Sequence, residues 1–163
     1  MSESGRVPEL SAKAQRFQAV LDRDAPGLRV VEFEQPSRTA QQAADAIGCE
    51  LDQIVKSLVF RGDDDRPVLV LTAGGNRVDE AVIGARLGRP VKMADAAFVR
   101  THTGYAIGGV PPFGHPEPIE TLVDEDLLGF TEIWAAAGTP NTVFAIVPDR
   151  LLEITGGSRI HVG

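Results

Sequence analysis

Apolar side chains recur at helical spacing along much of the chain. In residues 11–21, Ala14, Phe17 and Leu21 fall on one face, and Ser11 is a typical helix cap. The same spacing predicts four further helices and one short helix. These lie in residues 39–48, 77–88, 95–99 and 149–155, with the short helix in residues 50–55.

Apolar runs without helical spacing predict the strands. Residues 67–73 (PVLVLTA) are almost wholly apolar, which is typical of a central strand buried on both faces. Other runs predict strands in residues 28–33, 56–61, 90–94, 119–123, 130–137 and 142–148. No repeat or linker interrupts the pattern, so residues 10–163 are predicted to form one α+β domain with a mixed sheet. Residues 1–9 (MSESGRVPE) are small and polar, and we expect a flexible N-terminal tail there.

Composition and charge narrow the class of protein. Hydrophobic residues make up 43% of the chain and charged residues 24%, as in ordinary soluble domains. Neither a secretory signal nor an apolar run long enough to span a membrane is visible, so we expect a cytoplasmic protein. The net charge of −7 argues against a protein that coats DNA or RNA, because such binding depends on neutralising phosphates. A pocket that binds one nucleotide end is compatible with this charge.

Residues 102–118 (HTGYAIGGVPPFGHPEP) concentrate residues with special backbone properties. They include four glycines, four prolines and two of the three histidines. Glycines let a ligand approach backbone N–H groups closely, and prolines stiffen the chain that follows. Such a loop can hold an anion or a carbonyl oxygen, although a long structural turn would have the same composition.

Single reactive side chains give weaker signals. No metal-binding spacing surrounds His102 or His115, so neither a metal nor another cofactor is predicted, and His115 is the better functional candidate. Cys49 has no evident base beside it and is expected to be an inert thiol. Lys56 begins an apolar strand, where it is either a solvated edge charge or a ligand for phosphate or a polar substrate. Residues 73–76 (AGGN) lack nucleotide-loop spacing and are interpreted as a turn.

Three stretches together resemble the YbaK/ProRS-associated aminoacyl-tRNA editing-domain family. They are IGCELDQIVKSLVF (47–60), PVKMADAAFVRTHTGYAIGGVPPFGH (90–115) and FTEIWAAAGTPNTVFAIVPDRLLEIT (130–155). The order and spacing are those of the family, and the likeness spans nearly all of residues 28–155. The resemblance implies a free-standing member with a mixed, barrel-like β-sheet flanked by helices.

The resemblance also implies an activity, which is hydrolysis of the ester of mischarged tRNA without a metal or other cofactor. The implied partner is the 3′ aminoacylated end of tRNA, with an aminoacyl-tRNA synthetase as a further candidate and neither membrane nor DNA involved. Lys56 matches the family's essential lysine, and residues 108–112 match its G-x-x-x-P loop. We therefore expect Lys56, Gly108 and Gly109 to be catalytic. The expected substrate-binding residues are Ser57, Thr103, Val110, Pro111, Pro112, His115, Ala136 and Gly138.

One segment departs from the family pattern. Many relatives carry a Ser-Gly-Gly-Lys-Arg-Gly run where this chain has AAGTPN at residues 136–141, without the hydroxyl at the first position or the two basic residues. The amino acid and the tRNA that are edited therefore stay open. Two other functions also stay open: a non-catalytic ligand-binding or regulatory module, and an esterase that acts on another activated acyl group.

Overall fold

The computed structural model describes Gly5, Val7 and residues 9–163, so most of the predicted tail at residues 1–9 lies outside the described residues. The α-helices described are α1 (Ala12–Asp24), α2 (Ala40–Ile47), α3 (Glu80–Leu87), α4 (Ala96–Thr103) and α5 (Pro148–Thr155). The strands are β1 (Val31–Glu32), β2 (Ile54–Gly62), β3 (Pro67–Ala73), β4 (Val91–Met93), β5 (Glu120–Asp124), β6 (Ile133–Ala136), β7 (Thr142–Ile146) and β8 (Ser158–Ile160). Short 3-10 helices occupy Leu51–Gln53 and Glu125–Gly129. None of the helices in the described part is both long enough and apolar enough to cross a membrane.

All eight strands belong to one mixed sheet with the order β1-β7-β6-β2-β3-β5-β8, and β4 pairs with β2 beside this path. The β2–β6, β3–β5 and β5–β8 pairs are parallel, and the others are antiparallel. Val123 of β5 and Phe144 of β7 share one buried core although their strands lie far apart in the sheet order. The predicted α+β fold, a single domain with a mixed, barrel-like sheet and flanking helices, is therefore confirmed.

The apolar face of helix α1 packs into the main hydrophobic core. Phe17 is 1% exposed and packs against Phe113 of the 102–118 loop and Phe144 of β7, with ring centroids 6.1 Å and 5.5 Å away. Burying a large aromatic side chain stabilises a core by a few kcal/mol, on the order of 2–3. The part of the 102–118 loop around Phe113 is thus packed in the core rather than exposed to solvent.

Local capping signals place the helix ends as the sequence predicts. Ser11 Oγ accepts from Ala14 N at 3.2 Å and Thr39 Oγ1 accepts from Gln42 N at 3.1 Å, so both hydroxyls cap helices. Gly48 ends α2 with φ 86°, a left-handed conformation that favours glycine.

Several predicted boundaries differ from the structure. The short helix predicted at residues 50–55 ends at Gln53, the strand predicted at 130–137 is confined to Ile133–Ala136, and the helix predicted at 77–88 begins at Glu80. Two further differences have identifiable reasons. The strand predicted at residues 28–33 is too long, because only Val31 and Glu32 pair with β7. Helix α4 runs to Thr103 instead of ending near residue 99. Gly104 ends it with φ 81°, and the Thr103 hydroxyl donates back to the Val99 carbonyl at 2.7 Å. The first two residues of the 102–118 segment are therefore helical.

Candidate active site

The sheet splits beside β2. One side of β2 pairs with β3 continuously from Val55 to Arg61. On its other side β6 pairs only at Ile54 and Val55, and β4 pairs only from Phe60 onward. Ala94, which follows β4, also donates its N–H to the Val59 carbonyl. Among the described strands, none covers this side between those contacts, so the sheet has a gap next to residues 56–58.

A pocket of about 300 Å³ opens at this gap. Its walls come from β2, β6, β7 and α2, and from loops at residues 37–39, 107–110 and 139–141. Most of the lining is apolar, and its larger side chains include Phe33, Ile54, Leu58, Ile107 and Trp134. No Asp or Glu occurs among the described residues that line it, and the charged lining residues are Lys56 and the exposed Arg38.

Lys56 is the charged group at the centre of the gap. It shares a face of β2 with Ile54 and Leu58, and its Nζ donates a 2.7 Å hydrogen bond to the backbone carbonyl of Asn76. An ammonium group has three N–H donors, so two remain for a ligand. Burial lowers the pKa of Lys56, and the nearby charge of Arg77 lowers it further.

Lys56 also borders a second, more open cleft. This cleft is lined by Asn76, Arg77 and the half-exposed Met93, among others. Arg77 is exposed there, and its charge acts on Lys56. Lys56 therefore lies between a mainly apolar pocket and a more open cleft, which Arg77 lines together with the carboxylates of Asp79 and Glu80.

Ser57 lines the same pocket from the opposite face of β2. Its Oγ is buried and has no hydrogen-bond partner within the described part of the chain. A buried hydroxyl without a partner costs free energy, on the order of 1–3 kcal/mol. A polar ligand atom in the pocket would remove this cost.

The 102–118 loop contributes Gly108 and Val110 to the pocket. Gly108 is exposed with φ 95°, and its N–H makes no hydrogen bond to any described residue. The N–H of Gly109 is already donated to the Ala106 carbonyl at 3.0 Å, which closes a turn. In this conformation the Gly108 N–H, and not the Gly109 N–H, is therefore free to bind a ligand.

Gly109 and Gly138 bring two loops into close contact. A Cβ built on Gly109 would lie 2.8 Å from the Gly138 carbonyl oxygen and 2.9 Å from Thr139 Cα. Gly138 has φ 103°, and a Cβ there would lie 3.0 Å from the Tyr105 ring. Neither glycine lines the pocket as described, but together they fix the position of the residues that do.

Three of the predicted substrate-binding residues belong to the loop's supporting structure. The buried Thr103 hydroxyl bonds to Val99 and accepts from Tyr105 N at 3.1 Å. The Pro111 carbonyl accepts a 2.8 Å hydrogen bond from His115 Nε2, which must carry the proton. Burial lowers the pKa of His115, and this hydrogen bond offsets the effect only in part.

Pro112 and His115 border a different cleft, together with Arg23 and Thr155. Of the predicted site residues, the structure brings five together around the pocket: Lys56, Ser57, Gly108, Val110 and Ala136. Six lie outside the described lining: Thr103, Gly109, Pro111, Pro112, His115 and Gly138.

The segment at residues 136–141 satisfies its own polar groups. Thr139 Oγ1 donates to Asn141 Oδ1 at 2.8 Å, and Asn141 Nδ2 donates to the Phe33 carbonyl at 2.7 Å. Thr139 Oγ1 also lies 2.8 Å from Thr142 Oγ1. The loop is thereby held against β1 by neutral hydrogen bonds where many relatives carry basic residues.

Cys49 lies outside the described pocket lining and packs beside α2, near Ile47 and Trp134. Burial raises the pKa of its thiol, which disfavours the nucleophilic thiolate. Within the described residues, no group of three or more His, Cys, Asp and Glu side chains is arranged to hold a metal ion.

Asn76 belongs to the site although its sequence context (AGGN) predicts only a turn. The Asn76 carbonyl receives the Lys56 side chain. The two residues are 20 positions apart in the chain, so their contact has no local signal in the sequence. Trp134 was likewise not recognised, because an aromatic residue in a strand is usually part of the core.

Comparison with known proteins assigns the chain to a family. Residues 34–154 match the family described as "Aminoacyl-tRNA editing domain". The chain belongs to this family. The matched region of the editing domain contains Lys56, the whole 102–118 loop and the 136–141 segment.

Three similar proteins extend the comparison. A crystal structure described as "a putative trans-editing enzyme for prolyl tRNA synthetase" has a TM-score of 0.89 and 45% sequence identity, covering 94% of this chain and 98% of that chain. "Uncharacterized protein YwhH" of Bacillus subtilis (strain 168) is 36% identical over 126 residues, 77% of this chain and 80% of that protein. "Putative Cys-tRNA(Pro)/Cys-tRNA(Cys) deacylase EbsC" of Enterococcus faecalis (strain ATCC 700802 / V583) is 27% identical over 120 residues, 73% of each chain.

Proposed function

We propose that this protein is an aminoacyl-tRNA deacylase that hydrolyses the ester bond of mischarged tRNA in trans. The observation that carries the proposal is the position of Lys56, between a mainly apolar pocket and a more open cleft containing Arg77. An aminoacyl-adenosine end has the matching parts: a compact side chain, an ester, and a ribose with its phosphate. Membership of the editing-domain family supports the same activity.

The mainly apolar pocket at the gap beside β2 is proposed to bind the amino-acid side chain. Its lining is mainly apolar and includes four alanines, Ala40, Ala43, Ala135 and Ala136, which leave space for a small group. A cationic side chain would find no carboxylate among the described lining residues, so its burial would be costly. A small uncharged amino acid fits this environment best.

The open cleft is proposed to take the terminal nucleotide. Arg77 and Lys56 would attract phosphate there, while Asp79 and Glu80, which line the same cleft, already accept hydrogen bonds from backbone N–H groups. The protein as a whole carries a net charge of −7. Two local cations can bind a single nucleotide end without giving the protein affinity for long nucleic acids. This explains how an acidic protein would act on tRNA.

Hydrolysis would proceed by attack of water on the ester carbonyl carbon. The new C–O bond forms, the bond to the ribose oxygen breaks, and the ribose hydroxyl leaves with a proton. The Gly108 N–H and the free N–H groups of Lys56 would stabilise the developing oxyanion, a role supported by the presence of both residues in the pocket lining. A protein nucleophile is not needed, because positioning and charge stabilisation suffice for an activated ester.

Deacylation of a full panel of aminoacyl-tRNAs tests the proposal. We expect faster release than in buffer for at least one small amino acid, with alanine, cysteine, serine and proline as leading candidates. Lys56→Ala protein serves as the control for contaminating hydrolases. If no aminoacyl-tRNA is hydrolysed faster than in buffer, the deacylase proposal is wrong and a binding module becomes the better interpretation. Cleavage of simple activated esters alone would instead indicate an esterase.

The position of His115 leads to a separate prediction. His115→Ala should leave the deacylation rate nearly unchanged, because the ring lies outside the described pocket lining and bonds to Pro111. It should lower the free energy of unfolding by about 1 kcal/mol, the net value of one hydrogen bond. Rate measurements and thermal unfolding of the same preparation would check both effects. A large loss of rate at unchanged stability would place His115 in the chemistry.

A further inference from the structure

Asp124 is a buried carboxylate outside the described pocket lining. It ends β5, is 1% exposed, and accepts four hydrogen bonds. Burial alone raises the pKa of Asp124, but these hydrogen bonds outweigh the effect, and the pKa lies below that of a free aspartate. A charge buried in this way is stable only because its acceptor capacity is filled.

The two oxygens of Asp124 have different partners. Oδ1 accepts from Asp126 N at 3.0 Å and so caps the 3-10 helix that follows β5. Oδ2 accepts from Thr72 Oγ1 at 2.9 Å, Ala73 N at 3.0 Å and Asn76 Nδ2 at 2.8 Å. Oδ1 therefore caps a helix, whereas Oδ2 binds the end of β3 and the turn that follows it.

That turn carries the acceptor of Lys56. Asn76 bonds to Asp124 through its side chain and to Lys56 Nζ through its backbone carbonyl, at 2.8 Å and 2.7 Å. The Asn76 side chain also donates to Asp126 Oδ2 at 2.7 Å. One residue thus joins the buried carboxylate to the lysine at the pocket.

The turn is also fixed from its other side. Gly75 N donates to Asp52 Oδ1 at 2.8 Å. A Cβ on Gly74 would collide with the Leu51 carbonyl oxygen, so this segment packs directly on the 3-10 helix that precedes β2. Because both sides of the turn are held by these contacts, we expect a substitution at Asp124 to displace the Asn76 carbonyl.

We propose that Asp124 is a positioning residue for Lys56, acting through Asn76. Its catalytic consequence rests on the proposed deacylase function. Asp124 does not line the described pocket, and so it sets where the Lys56 ammonium lies without touching the substrate. Its negative charge also favours the protonated lysine, together with Asp52 and against Arg77.

Two variants separate geometry from charge. Asp124→Asn keeps the size of the side chain but removes its charge, and Asn76→Ala cuts the link while leaving the carboxylate in place. For both we expect kcat to fall on the order of 10-fold to 100-fold, by analogy with the loss caused by removing residues that orient metal-binding side chains. KM should change less than kcat if Lys56 acts mainly in the transition state.

A second readout needs no substrate. The chain has three lysines, Lys13, Lys56 and Lys92, so labelled lysine side chains can be titrated individually by NMR. Asp124→Asn should move the Lys56 titration to lower pH, because the charge of Asp124 favours the protonated lysine. Asn76→Ala should change the Lys56 titration less, because the charge of Asp124 remains.

Glu32→Gln is the matched control. Glu32 is also a buried carboxylate, 7% exposed, but it bonds to Ser11 at the start of α1. This variant should lose stability while keeping the wild-type titration of Lys56. If Lys56 titrates identically in folded Asp124→Asn and wild-type protein, the proposal is wrong. If Asp124→Asn does not fold, an unchanged kcat in folded Asn76→Ala overturns it instead. Should wild-type protein hydrolyse no aminoacyl-tRNA, the deacylase function fails, while the titration still decides the link between Asp124 and Lys56.

Discussion

Lys56→Ala should reduce the deacylation rate on the order of 100-fold or more, the cost of losing one donor to a developing oxyanion. The substitution removes the only cation that borders both the pocket and the open cleft among the described lining residues. Single-turnover hydrolysis of the best substrate from the panel would measure the loss. Circular dichroism and thermal unfolding should show a folded protein, because the Asn76 carbonyl left behind lies near an open cleft and can bond to water.

Two further substitutions at Lys56 test why an ammonium group is needed. Lys56→Met keeps the length of the side chain without its charge and should be as inactive as Lys56→Ala. Lys56→Arg should also be poor, since a planar guanidinium cannot replace a compact ammonium bound to one carbonyl. Lys13→Ala, a substitution at an exposed lysine of α1, should keep the wild-type rate. A folded Lys56→Ala protein that retains half of its turnover would exclude Lys56 from the reaction.

The fold could be predicted largely because its signals are local. Ser11 and Thr39 cap helices through contacts within three residues, and the apolar run of β3 marks a strand buried on both faces. The short β1 shows the limit of such signals. Residues 28–30 have strand-like side chains, but pairing depends on how far β7 extends beside them, which no local pattern contains.

The candidate site was predictable at the level of motifs and less so at the level of geometry. The family resemblance pointed to Lys56 and to the 108–112 loop, and residues from both line one pocket. The composition of the loop could not indicate that the Gly109 N–H is hydrogen-bonded to Ala106 within a turn. It also could not indicate which side of the loop His115 occupies, because that depends on the packing of the loop against α1.

The contacts behind Lys56 had no sequence signal at all. Asp124, Asn76 and Lys56 come from three separate segments, and each pairwise contact joins residues at least 20 positions apart. An aspartate after a strand and an asparagine after two glycines are ordinary turn residues. Only the sheet register, which places β3 between β2 and β5, brings them together.

Gly109→Ala should also cause a large loss of activity, for a steric reason. The Cβ would lie 2.8 Å from the Gly138 carbonyl oxygen and 2.9 Å from Thr139 Cα, both of them backbone atoms that cannot rotate away. The 108–110 segment must then move away from the 138–139 loop, and the Gly108 amide moves with it. A displacement of about 1 Å in a catalytic group can cost on the order of 100-fold in rate, which single-turnover hydrolysis would detect.

Two other glycines separate this effect from a general cost of adding a methyl group. Gly129→Ala meets no atom within 4 Å and has no left-handed φ, so both stability and turnover should stay near wild type. A Cβ on Gly108 also meets open space, but φ is 95°, so Gly108→Ala should cost about 1–2 kcal/mol of backbone strain. We therefore expect Gly109→Ala to be the least active of the three. Near-normal turnover in a folded Gly109→Ala protein would mean that close contact between the two loops is not required for hydrolysis.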